Sequence, residues 1–172
     1  MRRTICLFLA ILIVTAAVGV AVARPARAHD RAAVETELLR LVNKARTARD
    51  LATLKVQSAL DGAAIAHSRE MLSRDYFSHD SAAGTDYGAR LRRAGYSRSG
   101  CSSWSVGEVI GWGTSSHGTP QTIFQGWMDS SVHRSVLLNK RWRDIGIGCA
   151  EGTFRGVEDT LMYTVDFGRR VR

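Results

Sequence analysis

Residues 145–167 read IGIGCAEGTFRGVEDTLMYTVDF, and their hydrophobic period decides the fold. Apolar side chains alternate with polar or small ones in both halves of this stretch: Ile145, Ile147 and Cys149 in the first, and Leu161, Tyr163, Val165 and Phe167 in the second. A period of two is typical of a half-buried strand. The polar segment between the runs, with Gly152 and Gly156, predicts that the two strands form a hairpin.

Upstream of the hairpin the period changes to that of a helix. Asp30 is a suitable cap for a helix that runs to about Asp50, with apolar residues at helical spacing (Val34, Leu38, Leu41, Val42 and Ala45). A second helix is predicted from about Ser58 to Arg74, and a short one from Tyr87 that ends at Gly95.

The middle of the chain adds a strand and two more helices. The run from Trp104 to Ile110 predicts a strand, and the glycine- and serine-rich residues 111–118 predict a loop. Thr119-Pro120 starts a helix that ends near Asp129, because a hydroxyl cap is followed by proline at the first helical position. A further short helix is expected from His133 to Leu138. This order of elements favours an α+β sandwich with a small antiparallel sheet over a parallel βαβ fold.

The N-terminal 28 residues have the layout of a secretory signal peptide. Arg2 and Arg3 are followed by an uncharged run over residues 4–23, and then by the small-x-small pattern that ends at Ala28. Cleavage there leaves a single domain of residues 29–172, whose net charge is +4 instead of +8, because the signal contains four arginines and no acids. The alternative is an uncleaved anchor, since about 20 apolar residues can span a bilayer. We therefore expect the membrane as a partner only through this segment, and only if it is not cleaved.

Composition excludes several classes of protein. A hydrophobic content of 45% excludes intrinsic disorder, and a polytopic membrane protein is excluded by the absence of a second long apolar run. Because half of the net charge belongs to the signal and the rest is mixed along the chain, we expect no nucleic-acid partner.

The cysteine count agrees with export. Removal of Cys6 with the signal leaves Cys101 and Cys149, which an oxidising compartment would join as a disulfide. The alternative is two free thiols. A metal site on this pair is not expected, because neither residue belongs to a CxxC motif.

The candidate chemistry lies in His79, Glu108 and His133. Each is at the edge of a predicted element, where side chains can converge on a cleft. Two imidazoles and a carboxylate can bind Zn²⁺ with one position left open, although each histidine taken alone is more often structural. Glu108 is the most informative of the three, because a carboxylate inside an apolar strand needs a partner if it is buried.

Other residues suggest less. His67 is interpreted as a packing residue beside the apolar stripe of the second helix. The four tryptophans are more often core residues than a sugar or lipid platform. Ser130 and Ser131 precede His133, but the G-x-S-x-G elbow of serine hydrolases is absent from the sequence.

Taken together, the segments resemble the CAP superfamily of cysteine-rich secretory, antigen 5 and pathogenesis-related proteins, and most of all its compact bacterial branch, the SCP-like extracellular proteins. The resemblance runs from about Leu38 to Gly168. The residues that carry it are Leu41-Val42-Asn43-Lys44-Ala45-Arg46, His67-Ser68-x-x-Met71, Phe77-Ser78-His79, Arg90-Leu91-x-x-Ala94-Gly95-Tyr96, Gly107-Glu108, Trp127-Met128-x-Ser130-x-x-His133-Arg134-x-x-x-Leu138, Ile145-Gly146-Ile147-Gly148 and Phe167-Gly168.

The resemblance implies a three-layer α-β-α sandwich and a cleft lined by two histidines and two acids, which binds divalent metal in some members. His79 and His133 match the two histidines, and Glu108 matches the first acid. The second acid has no clean match. Larger members have a glutamate after the tryptophan, whereas here the residue after Trp127-Met128 is Asp129, which has a shorter side chain.

Function does not follow from the fold alone, and three classes stay open. The first is an extracellular module that binds a lipid or another small molecule. The second is an interaction domain that binds a component of the cell envelope. The third is a metal-assisted extracellular hydrolase, in which His79 and His133 hold Zn²⁺ and Glu108 acts as third ligand or as general base toward a bound water.

Overall fold

The computed structural model describes residues 30–171, so the predicted signal peptide, residues 1–28, lies outside the described residues. The helices are α1 (Arg31–Thr47), α2 (Ser58–Ser73), α3 (Tyr87–Arg93), α4 (Pro120–Asp129) and α5 (Ser131–Leu137), and residues 115–118 form a short 3₁₀ turn. The strands are β1 (Lys55–Val56), β2 (Ser103–Thr114), β3 (Asp144–Phe154) and β4 (Val157–Val171).

The predicted starts of α1 and α4 and the predicted end of α3 are confirmed, whereas the last helix begins at Ser131 and not at His133. The side chain of Asp30 accepts from the backbone N–H groups of Ala32 and Ala33 at the start of α1. Thr119 caps α4, with proline in its first turn. Gly95 has a φ of 98° directly after α3, which is the left-handed conformation that ends many helices at a glycine.

The sheet has the order β1-β3-β4-β2. The predicted antiparallel hairpin is confirmed as β3 and β4, and β2 pairs antiparallel with β4. The expectation of an antiparallel sheet is wrong for β1, which pairs parallel with β3. This strand has only two residues, which are too few to show a hydrophobic period. The sheet is therefore mixed, and β2 is one of its edges.

The loop predicted over residues 111–118 is wrong for its first half, because β2 continues to Thr114. Two glycines in this segment lie in the strand and contact neighbouring elements closely, and they do not form a turn. A Cβ on Gly111 would lie 3.1 Å from the indole nitrogen of Trp127, and one on Gly113 would lie 2.4 Å from the carbonyl oxygen of His117. Neighbouring elements thus pack directly on the strand at these glycines.

The three-layer α-β-α sandwich is confirmed. On one face, α1, α4 and α5 bury the main core against Ile145, Ile147 and the alternating apolar residues of β4. On the other face, α2 packs on β3, where a Cβ at Gly146 or Gly148 would lie 2.2 and 2.1 Å from the α2 backbone. The Ile-Gly alternation therefore serves both layers, with large side chains on one side and room for a helix backbone on the other.

The expected disulfide between Cys101 and Cys149 is not formed, and both thiols are free. Cys149 lies opposite Tyr163 on β4, whereas Cys101 precedes β2, whose first residue Ser103 lies opposite Val171. Eight residues of strand separate these two positions on β4, which is about 26 Å. A disulfide requires Cα atoms closer than about 7 Å.

Candidate functional site

Glu108 lies on the edge strand β2 and points to the face that α2 and α3 cover. Its side chain is 0% exposed, and its neighbours on that face, Val106 and Ile110, contact the small apolar clusters beneath α2 and α3. Burial of an ionisable group among apolar side chains requires hydrogen-bond partners. The expectation that Glu108 needs a partner is confirmed.

Two side chains satisfy the Glu108 carboxyl group. His79 Nδ1 lies 2.7 Å from Oε1, and the Arg90 guanidinium donates to Oε2. Because the carboxylate accepts from both partners, His79 donates from Nδ1, and its Nε2 is not used in this contact. The His79 side chain is 48% exposed, so Nε2 is open to a ligand.

The loop that carries His79 is held from below. His67 on α2 donates from Nε2 to the carbonyl oxygen of Ser78, at 2.9 Å, and Arg90 donates to the carbonyl oxygen of His79 itself. The interpretation of His67 as a packing residue is confirmed in that its side chain is buried, with 0% exposed. Burial, and then the charge of Arg90, lower the pKa of His67. His67 therefore positions the loop as a neutral group.

His133 lies in the helical layer on the opposite face of β2 from His79. It lies in α5, is half-buried, and α5 contacts β2. Burial, and then the charge of His79, lower the pKa of His133. His79 and His133 therefore lie on opposite faces of β2, the free edge strand of the sheet.

Asp129 is not part of this group. It is exposed at the end of α4, where its Oδ1 accepts from Gln125 Nε2 at 2.8 Å. It lines a shallow groove with Gln121 and Thr122. The second acid that the resemblance implies is therefore not supplied by Asp129.

A second acid beside Glu108 was missed. Asp166 on β4 lies directly opposite Glu108 in the register, is buried, and its two carboxyl oxygens have no hydrogen-bond partner among residues 30–171. Burial, and then the charge of Glu108, raise the pKa of Asp166 well above its usual range. Asp166 therefore keeps its proton where an exposed aspartate loses it. Its signal in the sequence was the same as that of Glu108, an acid inside an apolar strand.

The donor set does not fit the predicted zinc site. Among residues 30–171, no three His, Cys, Asp or Glu side chains form a group that could hold a metal ion. Both oxygens of Glu108 are engaged by His79 and Arg90, which leaves two imidazoles where catalytic zinc takes three protein ligands. Glu108 is thus a positioning residue for His79. Neither of its oxygens is free in this arrangement to act as the third metal ligand or as the general base.

Comparisons with known proteins agree with this architecture. The model of the cysteine-rich secretory protein family (CAP) matches residues 39–167. The protein YkwD of Bacillus subtilis is 31% identical over 119 residues, which is 69% of this chain and 43% of YkwD. The chain therefore spans less than half the length of this curated relative.

Solved structures show the same fold. An extracellular protein from Bacillus anthracis that contains an SCP domain aligns with a TM-score of 0.66 and 30% identity, over 81% of this chain and 41% of that one. An outer surface protein from Borrelia burgdorferi aligns with a TM-score of 0.66 and 19% identity, over 78% of this chain and 91% of that one. Each helix within residues 30–171 is too short or too polar to cross a membrane. The chain belongs to the cysteine-rich secretory protein (CAP) family and is a bacterial SCP-like member of it.

Proposed function

We propose that this chain is an extracellular ligand-binding module whose binding cleft is formed by His79, Glu108 and His133. The observation that carries the proposal is the bond between the half-exposed His79 ring and the fully buried Glu108, which Arg90 also holds. Water alone can solvate a histidine at the protein surface, so contact with a buried carboxylate and its guanidinium partner is not needed for solvation. Such a contact orients one ring nitrogen toward an incoming group at little entropic cost on binding.

Exposed apolar residues next to the two histidines in the sequence indicate the kind of ligand. Phe77 and Val132, two residues and one residue before the two histidines, are 38% and 71% exposed. Tyr87 contacts the His79 ring edge-on, with ring centroids 6.4 Å apart. A small molecule with an apolar body and one hydrogen-bonding group matches this combination, and both lipids and components of the cell envelope include such molecules.

Ligand-observed and protein-observed NMR would test the cleft. The probes are fatty acids, lysophospholipids and cell-wall saccharide fragments, added singly to the purified protein. We expect at least one to shift the ring signals of His79 and His133, and His79→Ala to weaken its binding about tenfold, as loss of one hydrogen bond does. His117→Ala is the matched control, because His117 is exposed in the 3₁₀ turn. Equal binding by the His79→Ala/His133→Ala protein would refute the proposal.

Binding of a single lipid chain at a different place is a second candidate. A groove of about 330 Å³ lies between α1 and α4, with apolar walls from Leu41, Ala45, Ala48 and Phe124 and with Lys44 beside them. The lysine could pair with the carboxylate of a fatty acid. If this groove is the binding site, Ala45→Trp abolishes fatty-acid binding and the two histidine variants leave it unchanged.

Export is proposed from the first 28 residues. Expression of the full chain in a bacterial host, followed by N-terminal sequencing of the protein in the medium, should give His29 as the first residue. Recovery of the intact chain in the membrane fraction would instead support an uncleaved anchor.

A further inference from the structure

Cations from five separate segments meet at one end of the sheet. This end is where β1, β2 and β3 begin and where β4 finishes, as the pairs Lys55–Asp144 and Ser103–Val171 show. The cations come from β1, α3, the turn before β2, the turn before β3 and the end of β4. We call them the basic end: Lys55, Arg92, Arg98, Lys140, Arg141, Arg143, Arg169 and Arg170.

The charges of the basic end are available to a partner. Seven of the eight residues are exposed, and Arg169 is half-buried. Within residues 30–171, the ion pairs all involve other residues, namely Arg31, Arg40, Arg74, Arg90, His67 and His79. An acid at this end, Asp144, accepts a hydrogen bond from the hydroxyl of Tyr96 at 2.6 Å. None of the eight cations therefore forms an ion pair with an acid of residues 30–171.

Several of the guanidinium groups are held in place. The guanidinium carbon of Arg170 lies 4.4 Å from the centre of the Tyr96 ring, and that of Arg92 lies 5.8 Å from the Trp104 ring. Arg143 donates to backbone carbonyls of its own turn, at 2.7 and 2.8 Å. Stacking on an aromatic ring leaves the N–H groups of an arginine free, and less side-chain entropy is lost when a partner binds.

We propose that the basic end binds a flexible polyanion that carries repeated phosphodiester groups, such as an anionic polymer of the cell envelope. Six of the eight cations are arginine, whose planar guanidinium matches the oxygens of a phosphate in pairs. Spreading the charges across several strand ends suits a chain with several anionic groups better than a single small anion. This surface is separate from the His79 cleft, and the inference does not depend on the proposed function.

A lipid bilayer is the less favoured partner. Peripheral binding to a membrane uses apolar side chains that insert beside the cations. Of the large exposed apolar residues, Val56 is at this end, whereas Trp112 and Val157 lie at the opposite end of the sheet. Val56 is thus the one large exposed apolar side chain that the described residues place at the basic end, which is little to insert into a bilayer.

Fluorescence anisotropy with labelled poly(glycerol phosphate) would test the inference. The test variant is Arg98→Gln/Arg141→Gln/Arg170→Gln. The matched control is Arg31→Gln/Arg40→Gln/Arg74→Gln, which removes the same charge from arginines that pair with glutamates on α1 and α2. We expect binding by the wild type that weakens with salt. We expect a loss on the order of a hundredfold in the test variant, and a loss below about threefold in the control and in His79→Ala.

Each other outcome overturns the inference. Equal losses of affinity in both triple variants would mean that net charge alone attracts the polymer. Absence of binding by the wild type would show that the basic end does not bind this polymer. Tighter binding to phosphatidylglycerol vesicles or to duplex DNA than to the polymer would assign another partner. If the test variant melts below the wild type, Arg98→Gln/Arg141→Gln replaces it, because both side chains are exposed.

Discussion

Glu108 and Asp166 lie directly opposite one another on β2 and β4, and both carboxyl groups are buried on the face covered by α2. Arg90 donates to Glu108, and the oxygens of Asp166 have no hydrogen-bond partner among residues 30–171. Two adjacent buried acids cannot both ionise beside one cation without a large electrostatic penalty. The pair therefore shares one negative charge, and the proton stays on Asp166.

Asp166→Asn should reduce the dependence of stability on pH. The pKa of Asp166 in the folded protein lies above its ordinary value of 3.8, so its contribution to stability is fully present at acidic pH. That contribution declines as the pH rises toward the raised pKa, by up to about 1.4 kcal/mol per pH unit. Urea unfolding between pH 5 and pH 8 should show a smaller decline in the variant, which mimics the protonated acid. Glu158→Gln, at an exposed position of β4, is the control and should follow the wild type. The same decline in Asp166→Asn as in the wild type would mean that Asp166 is ionised.

Arg90→Met should destabilise the fold strongly. It leaves the buried Glu108 carboxylate without its cation, and removal of one partner of a buried ion pair costs about 3–5 kcal/mol. The double variant Arg90→Met/Glu108→Gln should recover part of the loss, because the charge that lost its partner is then also removed. Denaturant unfolding measures both, and Arg74→Gln, which removes an exposed pair with Glu70, should stay close to the wild type. A double variant less stable than the single one would contradict the assigned pairing.

His67→Gln should flatten the acid side of the stability curve. The folded pKa of His67 is lowered from its ordinary 6.5, so the stability it contributes is present above pH 6.5 and is lost as the pH falls below that value. Glutamine can still donate to the carbonyl oxygen of Ser78 but does not take up a proton. Thermal unfolding at pH 7.5 and pH 5.5 should therefore show a smaller difference in the variant. An unchanged difference would show that the pKa of His67 is the same in the folded and the unfolded protein.

The two cysteines should differ in reactivity and should not be linked. Burial raises the pKa of the Cys149 thiol to about 12, so it should resist iodoacetamide in the folded protein, while the partly exposed Cys101 is labelled. Peptide mapping after labelling in buffer and in urea distinguishes the two sites. A peptide in which Cys101 and Cys149 are joined, recovered from the exported protein, would contradict the strand register.

The sequence supplied most of the elements because their signals are local. Asp30, Thr119-Pro120 and the alternation at Ile145–Cys149 act within a few residues, and the structure confirms them. The sequence does not predict β1, because two residues show no period, and it predicts a β2 that is too short, because Gly111 and Gly113 are typical of a loop. These glycines are required because the Trp127 ring and the His117 backbone pack against them. Such contacts between distant parts of the chain cannot be predicted from the local sequence.

The site was predicted in outline but not in its chemistry. His79 and Glu108 do meet, but the roles of Arg90 and Asp166 depend on which atoms face each other across α3, β2 and β4. Spacing along the chain contains no such information. The basic end was hidden for the same reason, because the cations are mixed with acids along the sequence and gather only when the strand ends align.

The central claim, that His79 and His133 share one cleft, is tested most directly by an NMR titration of His133 in the wild type and in His79→Gln. The pKa of His133 is lowered by burial and by the charge of His79, so removing that charge should raise it toward 6.5. A His133 pKa that is the same with and without His79 would mean that the two rings do not face a common cleft, and the proposed binding site would fall with it.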